Sequence, residues 1–218
     1  MSHSLRYGWT HIVKASDYEQ HMAAVGQAEA NAYLVRDLVM ARGLPSGSRL
    51  LFPGCGPGQM FDFVSGGFLN PFSVTFTDIN PEFVAMKGMR AKNAGLTGFV
   101  SVLDDAEAPA VQGPFDLAVL VLLLEHVSWR KCLTALASLP VREFLIIIQT
   151  NPEGLSSNVS PHRILPASLA QAVGGESPHL IKEAELTEHL DRLDFELKAR
   201  EVRSVLDGKA MTGFWFSQ

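Results

Sequence analysis

The stretch "RLLFPGCGPGQM", Arg49–Met60, ends an apolar run with Gly54, Gly56, Gly58 and two prolines. Glycines there reach backbone angles closed to other residues and let a ligand approach the main chain, while Pro57 suits the opening of a following helix. Asp78 comes next, at the end of "FSVTFTD", where an acid can accept both hydroxyls of a ribose. The same acid could instead cap the helix that follows, "NPEFVAMKGMRAKNAGL". Asp104 and Asp105 in "VLDDAEA" offer carboxylates, and Ala106 its backbone, to the edge of an adenine, or they are simply solvated. His126 in "LEHV" is the best-placed proton acceptor, or a histidine that only shapes a pocket; His162 and His179 rank behind it. These residue types point to a nucleoside ligand held at strand ends.

For these groups to meet, the apolar runs must be strands of one sheet. "RLLFP", "FSVTFTD", "FVSVLDD", "FDLAVLVLL" and "FLIIIQT" are separated by segments long enough for a turn, a helix and a turn. Several are apolar at nearly every position, as parallel strands covered on both faces must be. The pattern predicts an α/β fold with a doubly wound, mostly parallel sheet, in which ligands collect at the carboxyl ends of the strands. "FELKAREVRSVL" and "AMTGFWFSQ", joined around "DGK", predict a C-terminal antiparallel hairpin, preceded by a helix over "ELTEHLDRL". Upstream, with Ser16 as the expected N-cap, Met22, Val25, Ala28, Ala32, Val35 and Val39 are spaced for one long amphipathic helix or two shorter ones. Residues 1–45 form an expected helical lid. The Pro-, Gly- and Ser-rich connection over 151–180, with one helical pattern near "PASLAQAV", is expected to form a second lid over the acceptor.

At 218 residues the chain suits one domain, 1–218, and its 47% hydrophobic and 19% charged residues suit a globular protein with a buried sheet. A net charge of −5 with no block of Lys and Arg gives no footprint for nucleic acid or an anionic membrane. The runs "LAVLVLLL" and "FLIII" are too short to span a bilayer, and "MSHSLRYGWTHIVKAS" lacks the apolar core of a signal peptide, so a cytoplasmic location is expected. Cys55 and Cys132 lie far apart without CxxC or Cys/His spacing; neither a disulfide nor a zinc site is expected.

Spacing narrows the ligand. A dinucleotide fingerprint runs GxGxxG, but Gln59 stands where its last glycine should be. The YxxxK pair of short-chain reductases is also missing, because Tyr7, Tyr18 and Tyr33 are followed four residues later by His11, Met22 and Asp37. An NAD(P)-dependent oxidoreductase is therefore the weakest reading.

From Arg49 to Gln218 the chain resembles the class I S-adenosylmethionine-dependent methyltransferases of the small-molecule type. "LLFPGCGPGQ", "TFTDINPEFV", "VLDDAEA" and "FDLAVLVLLLEHV" stand as the first four motifs, in the family's order and before its terminal hairpin. The resemblance implies a seven-stranded Rossmann-like sheet and S-adenosylmethionine as cofactor. It puts Gly54, Cys55, Gly56 and Gly58 under the methionine and ribose portions, Asp78 at the ribose hydroxyls and Asp105 with Ala106 at the adenine amino group, with Ile79 also in the cofactor site. The backbone of Leu120 and Val121 would lie near the methionine end. One departure stands out: many members carry an acid two residues before the first glycine, and here that position is Phe52.

Methyl transfer gains mostly from alignment and exclusion of water, so it asks for little acid–base machinery. On that reading Cys55 is a small filler, and His126 serves as a base only for an alcohol or ammonium acceptor. "VLLLEHV" lacks the Asn/Asp-Pro-Pro-aromatic motif in which amino-methyltransferases of nucleic-acid bases resemble one another, and Val121 with "QTNP" offers no oxygen cluster for magnesium. The expected partner is a small-molecule acceptor, its reacting atom open among O, N, S and C, with no metal. A non-catalytic adenosyl-binding or interaction module on the same fold is the alternative.

Overall fold

The computed structural model describes residues 6–152, 164–173 and 179–218. Among them are seven strands: β1 (Arg49–Pro53), β2 (Ser73–Asp78), β3 (Phe99–Leu103), β4 (Phe115–Val121), β5 (Val141–Thr150), β6 (Glu196–Ser204) and β7 (Ala210–Ser217). They form one sheet in the order β3, β2, β1, β4, β5, β7, β6. The first five pair in parallel, and β7 runs antiparallel to both β5 and β6. The sheet is thus doubly wound and mostly parallel, and ends in the expected hairpin. Strand order reverses between β1 and β4, which opens a crevice at their carboxyl ends.

The helices are α1 (Ala15–Ala24), α2 (Gln27–Arg42), α3 (Pro81–Asn93), α4 (Trp129–Ser138), α5 (Ala167–Val173) and α6 (Glu183–Asp191). One core lies under α2 and α3 and includes Leu34, Leu38, Phe52, Phe76, Ile147 and Trp215. The other lies under α4 and α6 and includes Leu51, Leu120, Leu133, Phe144, Leu186 and Phe216. Double coverage explains why β4 and β5 are apolar at nearly every position. At the opposite extreme, β6 is an edge strand whose Glu196, Arg200 and Glu201 are exposed, charges that discourage pairing with another chain. Helix α2 seats on β7 at Gly213, where a Cβ would lie 2.7 Å from Leu38 Cδ1.

The N-terminal pattern resolves into two helices, because Gly26 at φ +71° breaks it. Ser16 does not cap the first. Helix α1 begins at Ala15, and tertiary partners serve its opening N–H groups: Lys14 N donates to Ser168 Oγ at 3.1 Å and Ala15 N to Glu82 Oε2 at 3.3 Å. Ser168 N in turn donates to Asp17 Oδ2 at 2.9 Å. These bonds tie α1 to α3 and α5. A short helical turn before it, Gly8–Ile12, packs on α5 so closely that a Cβ on Gly8 would lie 2.7 Å from the Ala172 carbonyl oxygen. Trp9, Val13, Phe83, Leu169 and Ala172 form a small third core there.

Of the connection expected to be a lid over 151–180, residues 153–163 and 174–178, His162 among them, lie outside the described residues. Among the described residues no helix is long and apolar enough to cross a membrane, and no group of three or more His, Cys, Asp and Glu could hold a metal ion. Cys55 and Cys132 are free thiols.

Candidate functional site

A cavity lies at the carboxyl ends of β1 to β4. The turn after β1 contributes Gly54 and Gly56 to its wall, β2 contributes Asp78 and Ile79, and the end of β3 contributes Asp104, Asp105 and Ala106. From the end of β4 come Val121, Leu123 and His126, while Trp9, Tyr18 and Phe83 cover it from the N-terminal segment and α3.

Gly54 sits at φ +59°, and a Cβ there would lie 2.5 Å from Leu123 Cδ1. The missing side chain thus leaves room for Leu123, whose flexible tip covers the turn. Gly56 N donates to Asp78 Oδ2 at 2.9 Å, and Asn80 N donates to Oδ1 at 2.9 Å. Each oxygen keeps a further acceptor site. Asp78 is only 7% exposed, and burial pushes its carboxyl up to about 6 against the pull of those N–H donors. Asp78 does not cap the next helix. Asn80 does, accepting from Glu82 N at 2.9 Å and Phe83 N at 3.3 Å, while its Nδ2 donates to the carbonyls of Trp9 at 2.9 Å and Val13 at 3.1 Å. One asparagine therefore joins α3, the Asp78 corner and the N-terminal cover.

The two acids after β3 differ in role. Asp104 accepts from Asp105 N at 2.9 Å, from Ala110 N at 2.9 Å and from Val111 N at 3.2 Å, which shapes the connection to β4. Asp105 pairs with the Arg6 guanidinium and accepts from Glu107 N at 3.0 Å.

Cys55 and Gly58 belong to a second cavity, on the other side of the glycine turn. Lys87 backs Gly58, where a Cβ would lie 3.3 Å from the Lys87 Cα. The Lys87 ammonium lies 4.5 Å from the ring centre of Phe76, 4.9 Å from that of Phe61 and 6.0 Å from that of Phe52. Burial pulls it down to about 8, and burial likewise pushes the Cys55 thiol up. Leu120 is fully buried in the core under α4 and lines neither cavity; its neighbour Val121 lines both.

His126 packs edge-on against Trp9, ring centres 4.7 Å apart. Burial, with His179 and His21 nearby, pulls its imidazole down to about 4. It is neutral at pH 7. Glu125 beside it is 3% exposed and is pushed up by burial to about 7. Its Oε1 accepts from Gln149 N at 3.0 Å, its carbonyl accepts from His179 N at 2.8 Å, and its Oε2 is buried with no hydrogen bond among the described residues. The chain enters this corner through Leu122 at φ +51°, a left-handed conformation costly for a branched side chain, held by a bond from Leu122 N to Ile147 O at 2.9 Å.

Sequence reasoning missed Trp9, Asn31, Asn80, Lys87 and Glu125. Only two left a trace: "DINP" is an Asx-Pro helix start, and Glu125 is a charge directly after an apolar strand. The cavities fit an adenosyl group with an amino-acid tail. The space over Gly56 is clear, with Tyr18 Cε1 3.8 Å from a built Cβ. Trp9 Nε1, a donor in the cavity wall, is buried with no hydrogen bond among the described residues.

Residues 51–140 match the family described as methyltransferase domain. No curated protein matches the sequence. Among solved structures the chain is similar to magnesium protoporphyrin IX methyltransferase from Synechocystis PCC 6803 with bound SAH, with a TM-score of 0.65 and 19% identity over 88% of this chain and 84% of that one. The same enzyme with bound SAM matches at a TM-score of 0.65 and 18% identity over 98% of this chain and 88% of that one. The 4+2 cyclase SpnF matches at 0.64 and 16% identity over 84% of this chain and 79% of that one. At these identities the likeness is one of fold.

Proposed function

We propose that this chain is a class I S-adenosylmethionine-dependent methyltransferase, and that it transfers a methyl group from S-adenosylmethionine to a small-molecule acceptor. The observation that carries the reading is the meeting of Gly56, Asp78, Asp105 and His126 in one cavity at the strand ends. When bound, S-adenosylmethionine supplies an electrophilic methyl group on a sulfonium.

The chain's own residues bind, orient and exclude water. Asp78 accepts the ribose hydroxyls with the acceptor sites that Gly56 N and Asn80 N leave over. Asp105 and the backbone at Ala106 would take the adenine edge, and Gly54 to Gly58 would hold the methionine and ribose portions. Trp9, Tyr18, Phe83 and Leu123 form an apolar cover that keeps water from the reacting centre. His126 is neutral at pH 7 and so free to take a proton from an alcohol or ammonium acceptor, but the burial that keeps it neutral also makes it a weak base. The segment 6–24 and α5, bonded to each other through Ser168, are the lid over the acceptor.

A second reading keeps the adenosyl site without methyl transfer; it is favoured by the likeness to a cyclase, since one fold hosts several chemistries. Calorimetry with S-adenosylmethionine, S-adenosylhomocysteine and a nicotinamide dinucleotide tests the binding, and transfer of a labelled methyl group to a panel of small acceptors tests the chemistry. Binding of both adenosyl ligands with labelled product is the expected result. Binding without turnover favours the second reading, and a response to the dinucleotide alone overturns both.

A further inference from the structure

The second cavity shares Tyr18, Gly54, Gly56, Val121 and Leu122 with the first, so the two are neighbouring lobes divided by the glycine turn. Its wall is mostly apolar, with Met22, Ala28, Val35, Phe52 and Val119 around it. Three nitrogen-bearing side chains interrupt that wall. Gln59 donates its Nε2 to the Glu19 carbonyl at 3.2 Å, and Lys87 is held among phenyl rings. Asn31 is different: it is 5% exposed, and its Oδ1 is buried with no hydrogen bond among the described residues. A buried acceptor without a partner is uncommon in a folded protein and asks for a donor from outside the chain.

The charge around the lobe says what kind of donor. Phe52 replaces the acid that would ordinarily meet an ammonium, and Lys87 already brings one positive charge to the wall. The wall itself holds no carboxylate to meet a simple cation. A zwitterion suits it better, because its carboxylate answers Lys87 while its ammonium needs an uncharged acceptor. The α-amino-acid end of an adenosyl ligand has this character. We infer that Asn31 Oδ1 accepts a hydrogen bond from the α-ammonium of that ligand, taking over from the acid absent at Phe52. The inference rests on the adenosyl-binding reading above and adds the residue that selects the ligand's amino-acid end.

Asn31 lies on α2, outside the stretch 51–140 that matches the family, so the glycine turn and the ammonium acceptor come from separate parts of the chain. An amide also suits the lobe better than a carboxylate, since an uncharged acceptor meets a smaller penalty in an apolar wall.

Calorimetry with S-adenosylhomocysteine and its deamino analogue, which differs only by loss of the ammonium, provides the test. Wild type should prefer S-adenosylhomocysteine by about tenfold or more. Asn31→Leu should cut that preference to within about twofold while holding the deamino analogue as tightly as wild type does. An Asn31→Leu chain with the wild-type preference overturns the inference and leaves the adenosyl reading standing. If wild type binds neither ligand, the adenosyl reading falls and this inference falls with it. Should Asn31→Leu not fold, Asn31→Ala decides by the same criterion: the preference should fall to within about twofold, and a wild-type preference overturns the inference.

Discussion

The Arg6 guanidinium pairs with the Asp105 carboxylate, joining the first described turn of the chain to the end of β3. Asp105 is the acid proposed to receive the adenine amino group, so Arg6 and adenine compete for one acceptor. With side-chain exposures of 46% and 16%, the pair is worth at most about 1 kcal/mol. Arg6→Ala should therefore tighten S-adenosylhomocysteine binding by at most about fivefold, and less at high salt. Calorimetry at two ionic strengths measures it. Weaker binding in the variant would mean that Arg6 helps to hold the ligand.

Asp78 and Asp104 should separate binding from folding. Asp78→Ala should weaken S-adenosylhomocysteine by roughly 1.5–3 kcal/mol, because ribose hydroxyls lose a charged acceptor. Asp104→Ala should spare affinity and lower stability by about 1–3 kcal/mol, because backbone N–H groups of the β3–β4 connection lose their acceptor. Equal losses of affinity in both variants would contradict the assignment.

The charge state of Asp78 also predicts a pH profile. Its carboxyl ionises at about 6, and only the ionised form is a full acceptor pair, so affinity for S-adenosylhomocysteine should rise through that pH. Asp78→Asn should flatten the profile. A wild-type affinity constant from pH 5 to pH 8 would rule out Asp78 as the ribose acceptor.

Glu125 predicts a stability profile of known sign. Burial raises its pKa from 4.5 to about 7, so across that window the folded chain keeps a proton that the unfolded chain releases. The contribution of Glu125 to stability therefore falls as pH rises from about 4.5 to about 7. Glu125→Gln should remove this loss and gain on the order of 3 kcal/mol relative to wild type at pH 8, with little difference at pH 4. Urea unfolding at both pH values is the measurement. A constant difference between the two chains would show that Glu125 does not titrate in that range.

The proposed lid is open to hydrogen exchange. S-adenosylhomocysteine should slow exchange in the turn Gly8–Ile12, in α1 and in α5, as well as around Gly54 to Gly58, because Asn80 and Ser168 couple these segments. Protection confined to the glycine turn, Asp78 and Asp105 would mean that the acceptor enters elsewhere.

The parts of the sequence that could be read were those governed by period and by backbone geometry. β4 and β5 announced themselves because burial on both faces forces apolar residues at nearly every position. The glycine turn was legible because backbone at positive φ restricts residue type, and Gly54, Gly56 and Gly58 lie at φ +59°, +60° and +95°. Ser16 misled because the start of α1 is satisfied by Glu82 and Ser168, partners that no local propensity encodes. Asn31 and Lys87 were invisible for a related reason: a polar residue inside a helix looks the same whether its side chain meets water or a cavity.

Gly213 links β7 to the helix that carries Asn31, the residue proposed to select the ligand's amino-acid end. Leu38 rests where a Cβ at 213 would stand, 2.7 Å away, and Leu34, one turn earlier, is 3.7 Å away. Asn31 stands seven residues before Leu38 on the same rigid helix, about 10 Å along its axis. A methyl group added on β7 would press on the Leu38 tip, which must turn aside or pass the push on to α2, and the far end of that helix carries the amide. Gly213→Ala thus offers a route by which drift at a position that touches no ligand could retune which adenosyl compounds the protein accepts.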